Sequence, residues 1–360
     1  MTATRPADRG TAAPPTRGLV EQHRRLPRFA FPALFLLGVL LGVALSAVTG
    51  FSLVLAAIYG VVLGTLAVYV VSRGVEGSRQ SLDRLVTSVV TTAFAVAMVP
   101  LVSLVWTVLS RGLKRLDGEF FNSSMLGIVG EGGGAYHAIF GTLIITGITA
   151  VISVPIGLLT AIYLVEYGTG RLKRWITFLV DVMTGIPSIV AGLFAFALFA
   201  IFFGPGIRLG IMGAIALSVL MIPVVVRSSE EVLKLVPNEL REAAYALGVP
   251  KWRTIVKVVL PTAIAGLATG VTLAVARVIG ETAPLLITVG IINGTNLDPF
   301  SGRMATLPVF AYYQLTQPGF PPEYAIDRAW TAALILIILV MALNVVGRLI
   351  SRFFAPKTGR

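Results

Sequence analysis

Long apolar runs separated by short polar loops repeat along this chain. Eight of them reach about 20 residues, the length an α-helix needs to cross hydrocarbon: 29–48, 52–71, 85–109, 138–165, 175–203, 209–226, 261–289 and 329–349. The expected fold class is therefore all-α, a polytopic membrane bundle of helices. An even number of spans returns both termini to one side. If the Arg-rich N-terminus is cytoplasmic, the basic loops around Arg73, Arg79 and Arg84, around Arg171, Lys173 and Arg174, and after Arg352 all fall inside, as the positive-inside rule requires. Arg111, Lys114 and Arg115 are discordant, since this topology puts them outside.

One stretch departs from the pattern. Residues 238–261, NELREAAYALGVPKWRTIVKVVLP, are polar and charged yet lie between apolar runs, which places them in water beside a membrane. Leu240, Ala243, Ala244 and Leu247 recur at helical spacing, with Glu239, Arg241 and Glu242 off the stripe. Asn238 is the expected N-cap, and Glu239 and Glu242 are expected in the first turn, where the helix dipole favours negative charge. Gly248 ends this helix. Pro250 suits the first turn of a second, on which Trp252, Ile255, Val256 and Val259 repeat the spacing. The expectation is helix, bend, helix, then a span.

Composition removes whole classes of function. Apolar residues make up 56% of the 360 and charged residues 13%, with a mean hydropathy of +0.88, values foreign to a soluble domain. The net charge of +12 reads as topology, because Lys and Arg cluster in short loops; no nucleic-acid partner is implied. Without cysteine there is neither disulfide nor thiolate site. His23 and His137 have no partner at metal-ligand spacing. The Gly-rich GEGGGAYH of residues 130–137 lacks the Gly-Lys-Ser/Thr ending of a P-loop, so ATP and Mg have to be bound by another chain. No paired carboxylates or nucleophile and base at useful spacing suggest an enzyme.

Two features mark the bundle as more than packing. TGIPSIVAG, from Thr184 to Gly192, puts Gly and Pro inside a span, which is tolerated only against protein or a water-filled cavity; Pro187 is either a packing kink or part of a solute path. Arg277 and Glu281 sit in the seventh run. An arginine there costs about 2.5 to 3.5 kcal/mol on insertion scales, and a rise of about 1.5 Å per residue puts it about 24 Å above Pro261. Either the two charges form an internal pair one turn apart, or they serve passage of a charged solute. Gly266 and Gly270 form a GxxxG that permits close packing. Two segments, 111–136 and 291–328, are expected outside, capping helix ends or meeting the solute first.

Glu242-Ala243-Ala244, three residues, Gly248, nine residues, Val258, one residue, Leu260-Pro261 resembles the EAA loop of bacterial ABC-importer permeases, with valine where isoleucine is usual. ARVIGETAPLL from Ala276, TGIPSIVAGLF from Thr184 and AIYLVEYG from Ala161 resemble the PstA-type permeases of phosphate-specific ABC importers. The resemblance implies a type I permease core of six helices, here with two further N-terminal helices. It implies ATPase coupling through Glu242, Ala243, Ala244, Gly248, Leu260 and Pro261, and a phosphate path that includes Arg277 and Glu281. Implied partners are a second homologous permease, two copies of a cytoplasmic ATPase and an external phosphate-binding protein, in the cell membrane. Another oxyanion, such as sulfate, molybdate or tungstate, or another small solute, stays the alternative cargo. The expected organisation is a disordered cytoplasmic tail over 1–28, two added helices over 29–72, the first core helix and external segment over 85–136, the transmembrane domain over 137–352 with the loop at 238–261, and a cytoplasmic tail over 353–360.

Overall fold

A computed structural model of the chain describes residues 26–27, 29–48, 50 and 52–354. The tail expected over 1–28 lies outside them except for residues 26 and 27, and most of that over 353–360 does so too. The chain divides into two compact units, Met1–Leu104 and Val105–Arg360.

In the first unit α1 (Ala30–Val48) and α2 (Leu53–Val75) form a hairpin. Its seam is glycine. A Cβ at Gly38 would fall on the backbone of Gly64, and one at Gly42 on Gly60, so the helices approach at backbone distance, where dispersion contacts replace the hydrophobic drive that lipid does not supply. The turn after α2 is held by Glu76, which accepts from Ser72 Oγ at 2.7 Å and the Leu26 amide at 2.9 Å, and from Arg84 of α3 (Ser78–Gly112) at 3.4 Å. Burial alone would raise this carboxyl's pKa, but those hydrogen bonds outweigh it and hold the value below the ordinary one. The boundary between the units falls within α3.

The second unit continues through a 3₁₀ turn, Leu113–Arg115, to the short α4 (Gly118–Asn122), N-capped by Asp117, whose Oδ1 accepts from the Phe120 amide at 2.9 Å. Next come α5 (Tyr136–Ile162) with a π-helical turn at Tyr163–Tyr167, α6 (Gly170–Thr184), α7 (Ser188–Phe203), α8 (Gly210–Lys234), α9 (Asn238–Ala246) and α10 (Lys251–Thr254). A second π turn, Ile255–Val259, leads into α11 (Leu260–Ile279); α12 (Ala283–Thr288), α13 (Leu307–Thr316) and α14 (Pro322–Phe354) complete the unit.

Among the described residues, seven helices are long and apolar enough to cross a membrane, and a bent pair would make eight if counted as one span. That pair is the break expected within Thr184–Gly192, and it redraws the fifth run. The run at 175–203 is two helices, α6 and α7, bent by 106° across Gly185–Pro187. Proline has no amide to continue α6, and its carbonyl instead accepts from the Val190 amide at 2.9 Å to open α7. The seventh run is also redrawn. Its helix starts ten residues early, at Lys251, and stops at Ile279, because Gly280 interrupts the ladder before Pro284.

Helix α8 is the centre, buried along most of its length. Small residues let neighbours close on it: a Cβ at Gly157 of α5 would meet Val225, one at Gly266 of α11 would meet Val232, and one at Gly270 would meet Ser228. The Gly266–Gly270 pair therefore packs α11 on α8, as its spacing suggests. Thr149 of α5 donates its hydroxyl to the Ala214 carbonyl at 3.2 Å. At the opposite end of the bundle from α9, the two segments expected outside interlock, with the Met125 amide on the Asn293 carbonyl at 3.0 Å and Arg328 on the carbonyls of Gly130 and Gly132 at 2.7 and 3.0 Å. Two of the discordant basic residues are paired here, Lys114 3.3 Å from Asp327 and Arg115 3.4 Å from Glu119, while Arg111 sits over the Trp330 ring.

Candidate coupling site and solute path

Helix α9 hangs between two membrane-length helices, α8 and the one that begins at Lys251. Its apolar stripe has few neighbours: Ala244 is buried, but Leu240 is 40% exposed, Leu247 is 84% exposed, and Ala243 and Glu242 are exposed as well. Leaving this much apolar surface on the polar end of a bundle is unfavourable unless something covers it.

The end of α9 is a Schellman motif. The Gly248 amide donates to the Tyr245 carbonyl at 2.9 Å and the Val249 amide to the Ala244 carbonyl at 3.1 Å, with Gly248 at φ +75°. The expected bend therefore stands, and glycine is there for its backbone angle. The start differs from expectation. Pro237 is the N-cap and Asn238 the first helical residue, its Oδ1 accepting from Arg241 at 3.2 Å; Glu239 alone lies in the first turn.

Beyond the bend, α10, the π turn and α11 run as one helix. The π turn rotates the predicted stripe, so Ile255 and Val259 are buried while Trp252 and Val256 stay more than half exposed. It also immediately precedes Leu260 and Pro261, where a regular helix would drive the proline ring into the carbonyl four residues back. Helix α9 packs against this π turn, which brings Glu242, Ala243, Ala244 and Gly248 to the same end of the bundle as Leu260 and Pro261.

Two functional-looking sets of residues there have no mark in the spacing. Arg241, which the pattern places merely off the stripe, makes five hydrogen bonds, to Glu166, to Asn238 and to the carbonyls of Leu233 and Val236. Its partner Glu166 closes α5. The only sequence hint is Glu166's place in AIYLVEYG, since a pair 75 residues apart has no periodic signature. A second set links α6 to α8: Arg227 pairs with Asp181 and, at 2.7 Å, with Glu230, which also takes Lys234 at 2.7 Å.

Arg277 lies in the last turn of α11, where a cation favours the helix dipole, and is exposed. Glu281 is half-buried and does not follow it by one helical turn, because α11 has ended at Ile279; the two form no ion pair among the described residues. The internal pair is therefore not the arrangement adopted. Pro187 is exposed at the start of α7, and α7 packs on α12 so closely that a Cβ at Gly192 would stand 2.7 Å from Pro284. The fold thus joins the helix carrying one break to the helix beyond the other. Arg208 and Arg303, also unmarked in the sequence, both pack over Gly290 just past α12.

A broken-helix bundle carrying an uncovered polar-side helix defines the class. Residues 153–360 match the family described as binding-protein-dependent transport system inner membrane component. The phosphate transport system permease protein PstA 1 of Mycobacterium tuberculosis is 48% identical over 295 residues, 81% of this chain and 94% of that protein. PstA of Mycobacterium leprae is 47% identical over 80% and 94%, and PstA of Pasteurella multocida is 38% identical over 71% and 88%. The chain belongs to the PstA family of phosphate transport system permeases. Its fold is that of the type I ABC importer permeases: a solved bacterial alginate ABC transporter, in complex with alginate pentasaccharide-bound periplasmic protein, has a chain that matches with a TM-score of 0.55 at 13% identity, covering 77% of this chain and 97% of that one.

Proposed function

We propose that this multi-pass chain is the membrane permease subunit of an ATP-driven importer of inorganic phosphate, and that α9 is where it receives work from a separate ATPase. The observation that carries the reading is the uncovered Leu240–Leu247 face of α9 in a chain whose sequence has no P-loop. The ATPase, present in two copies, binds ATP and Mg; the permease contributes Glu242, Ala243, Ala244, Gly248, Leu260 and Pro261 to the contact and its transmission. A second permease of similar fold completes the path, and an external binding protein delivers phosphate to the interlocked outer segments. Both termini are cytoplasmic. Arg277, Glu281 and the break at Pro187 line the path, where the Arg277 guanidinium attracts an oxyanion through paired donors.

Co-expression with the ATPase, the second permease and the binding protein, followed by reconstitution into liposomes, tests this. ATP should drive uptake of labelled phosphate, with excess sulfate or molybdate failing to compete. Leu240→Asp with Leu247→Asp should release the ATPase from the purified complex without removing the permease from the membrane. A complex that retains its ATPase after both changes would show that α9 is not the docking element.

The core occupies 85–352 on this reading, and residues 29–72 are an addition. The α1–α2 hairpin presents Gly, Ser and Thr but no charged side chain until Arg73. A chain beginning shortly before Leu85, given a start and a basic flank, should insert with unchanged topology and keep most of its uptake. Loss of uptake by a correctly inserted truncation would make the hairpin part of the transport machinery.

A further inference from the structure

We infer that Arg241 is a rigid linkage through which α9 is fastened to the inner ends of α5 and α8, while Gly248 leaves its attachment to α11 free to hinge. The inference rests on α9 being the ATPase contact and states where the motion goes. The Arg241 and Glu166 side chains are only 12% and 5% exposed, whereas Glu239 and Glu242, beside Arg241 on the same short helix, are exposed to water. Desolvating a guanidinium is costly, so the bonds that compensate it define what it is for. Nε and Nη2 reach Glu166 Oε1 at 3.1 and 2.8 Å; Nη2 also donates to the Leu233 carbonyl at 3.1 Å and Nη1 to the Val236 carbonyl at 2.7 Å. Leu233 is in the last turn of α8, among the carbonyls that a helix end leaves without an internal partner. One side chain therefore serves as counter-ion to the end of α5 and as cap to the end of α8.

The π turn that closes α5 is part of the same device. Its extra residue rotates the chain beyond it by about 100° relative to a regular helix, and Glu166 lies inside it. On the other side of α9 the contacts are packing on the π turn at Ile255–Val259 and Lys251 over the Tyr167 ring, and among the described residues no buried ion pair fastens it there. Gly248 has open space around it, and the chain passes to Lys251 through Val249 and Pro250. A displacement of α9 carries α5 and α8 with it, and α11, which holds Arg277, shifts relative to that pair.

The test uses the assembled complex in liposomes, reading phosphate uptake per ATP hydrolysed. Glu166→Gln and Arg241→Gln should each retain the ATPase yet lower that ratio by about tenfold or more, as expected for breaking a buried charge pair, and the double variant should be no worse than either single one. Arg241→Lys keeps the charge but not the fork and should recover part of the ratio. Since the Gln variants could fail to assemble, spin labels on an unchanged linkage give a second measurement. The distance from Ala246→Cys to Tyr167→Cys should stay constant between nucleotide-free and ATP-trapped states, while that from Ala246→Cys to Lys257→Cys changes. Ratios like wild type in complexes that hold the ATPase, or an Ala246–Tyr167 distance that changes as much as the other, would overturn the linkage. Failure of the wild-type complex to hold the ATPase would instead overturn the docking role of α9.

Discussion

Replacing Gly248 with valine should abolish ATP-driven phosphate uptake while leaving the protein in the membrane at normal levels. At φ +75° an L-residue places Cβ too near its own carbonyl, a cost of roughly 1–2 kcal/mol, and a β-branched side chain costs more because its χ1 is restricted as well. No atom lies within 4 Å of where a Cβ would stand, so nothing collides with a neighbour and the penalty is torsional. The chain escapes it by leaving the left-handed region, which breaks the Schellman hydrogen bonds from Gly248 and Val249 and re-aims α9 against the helix that begins at Lys251. Insertion is untouched, since the change lies outside every apolar helix. Gly248→Asn is the matched control. Asparagine tolerates the left-handed region and should keep most of the uptake. Measured side by side by membrane content and liposome uptake, a valine variant that assembles and transports normally would remove Gly248 from the coupling path.

Arg277→Lys should lower phosphate transport by about tenfold or more, because a point charge replaces a fork that meets two oxygens of the anion at once. Glu281→Gln should have a different effect, admitting sulfate. Phosphate near neutral pH still carries a proton it can donate to a carboxylate, and sulfate carries none, so a carboxylate beside an arginine admits the first and repels the second. The absence of an ion pair between the two side chains strengthens this expectation, because an acid that neutralised Arg277 could not also test its cargo. Uptake of both anions by the reconstituted complex decides. If Glu281→Gln carries phosphate normally and still excludes sulfate, discrimination lies elsewhere, in the binding protein or the second permease.

Local chemistry was legible wherever its cause is local. Apolar runs of span length had to become helices, because a backbone in hydrocarbon can bond only to itself. Gly248 had to end α9, because glycine alone takes the left-handed angle without cost. Thr184–Gly192 offered a break, because Pro187 has no amide and Gly185 two residues before it weakens the same turn, whereas Pro155 and Pro223 lie inside unbroken helices. Each of these outcomes is set by the covalent structure of a few neighbouring residues, and spacing is enough to read it.

Spacing could not supply where a break points or what a charge meets. The size of the bend at Gly185–Pro187 is set by α7 seating Gly192 against Pro284, and by Asp181 on α6 meeting Arg227 on α8. Arg277 and Glu281 look like partners one turn apart, and are not, because Gly280 ends the helix between them. Asn238 looks like a cap and is instead the first helical residue, since Pro237 before it has no amide and takes the extended angle. Arg241 had the sequence character of a solvated charge on a polar face. Its role depends on Glu166, Leu233 and Val236 arriving at one point from separate parts of the chain, and no pattern along the chain encodes that convergence. The sequence by itself determined the helices, their breaks and the family to which they belong; tertiary packing alone decided which charges were left unpaired and which helix end Arg241 would hold.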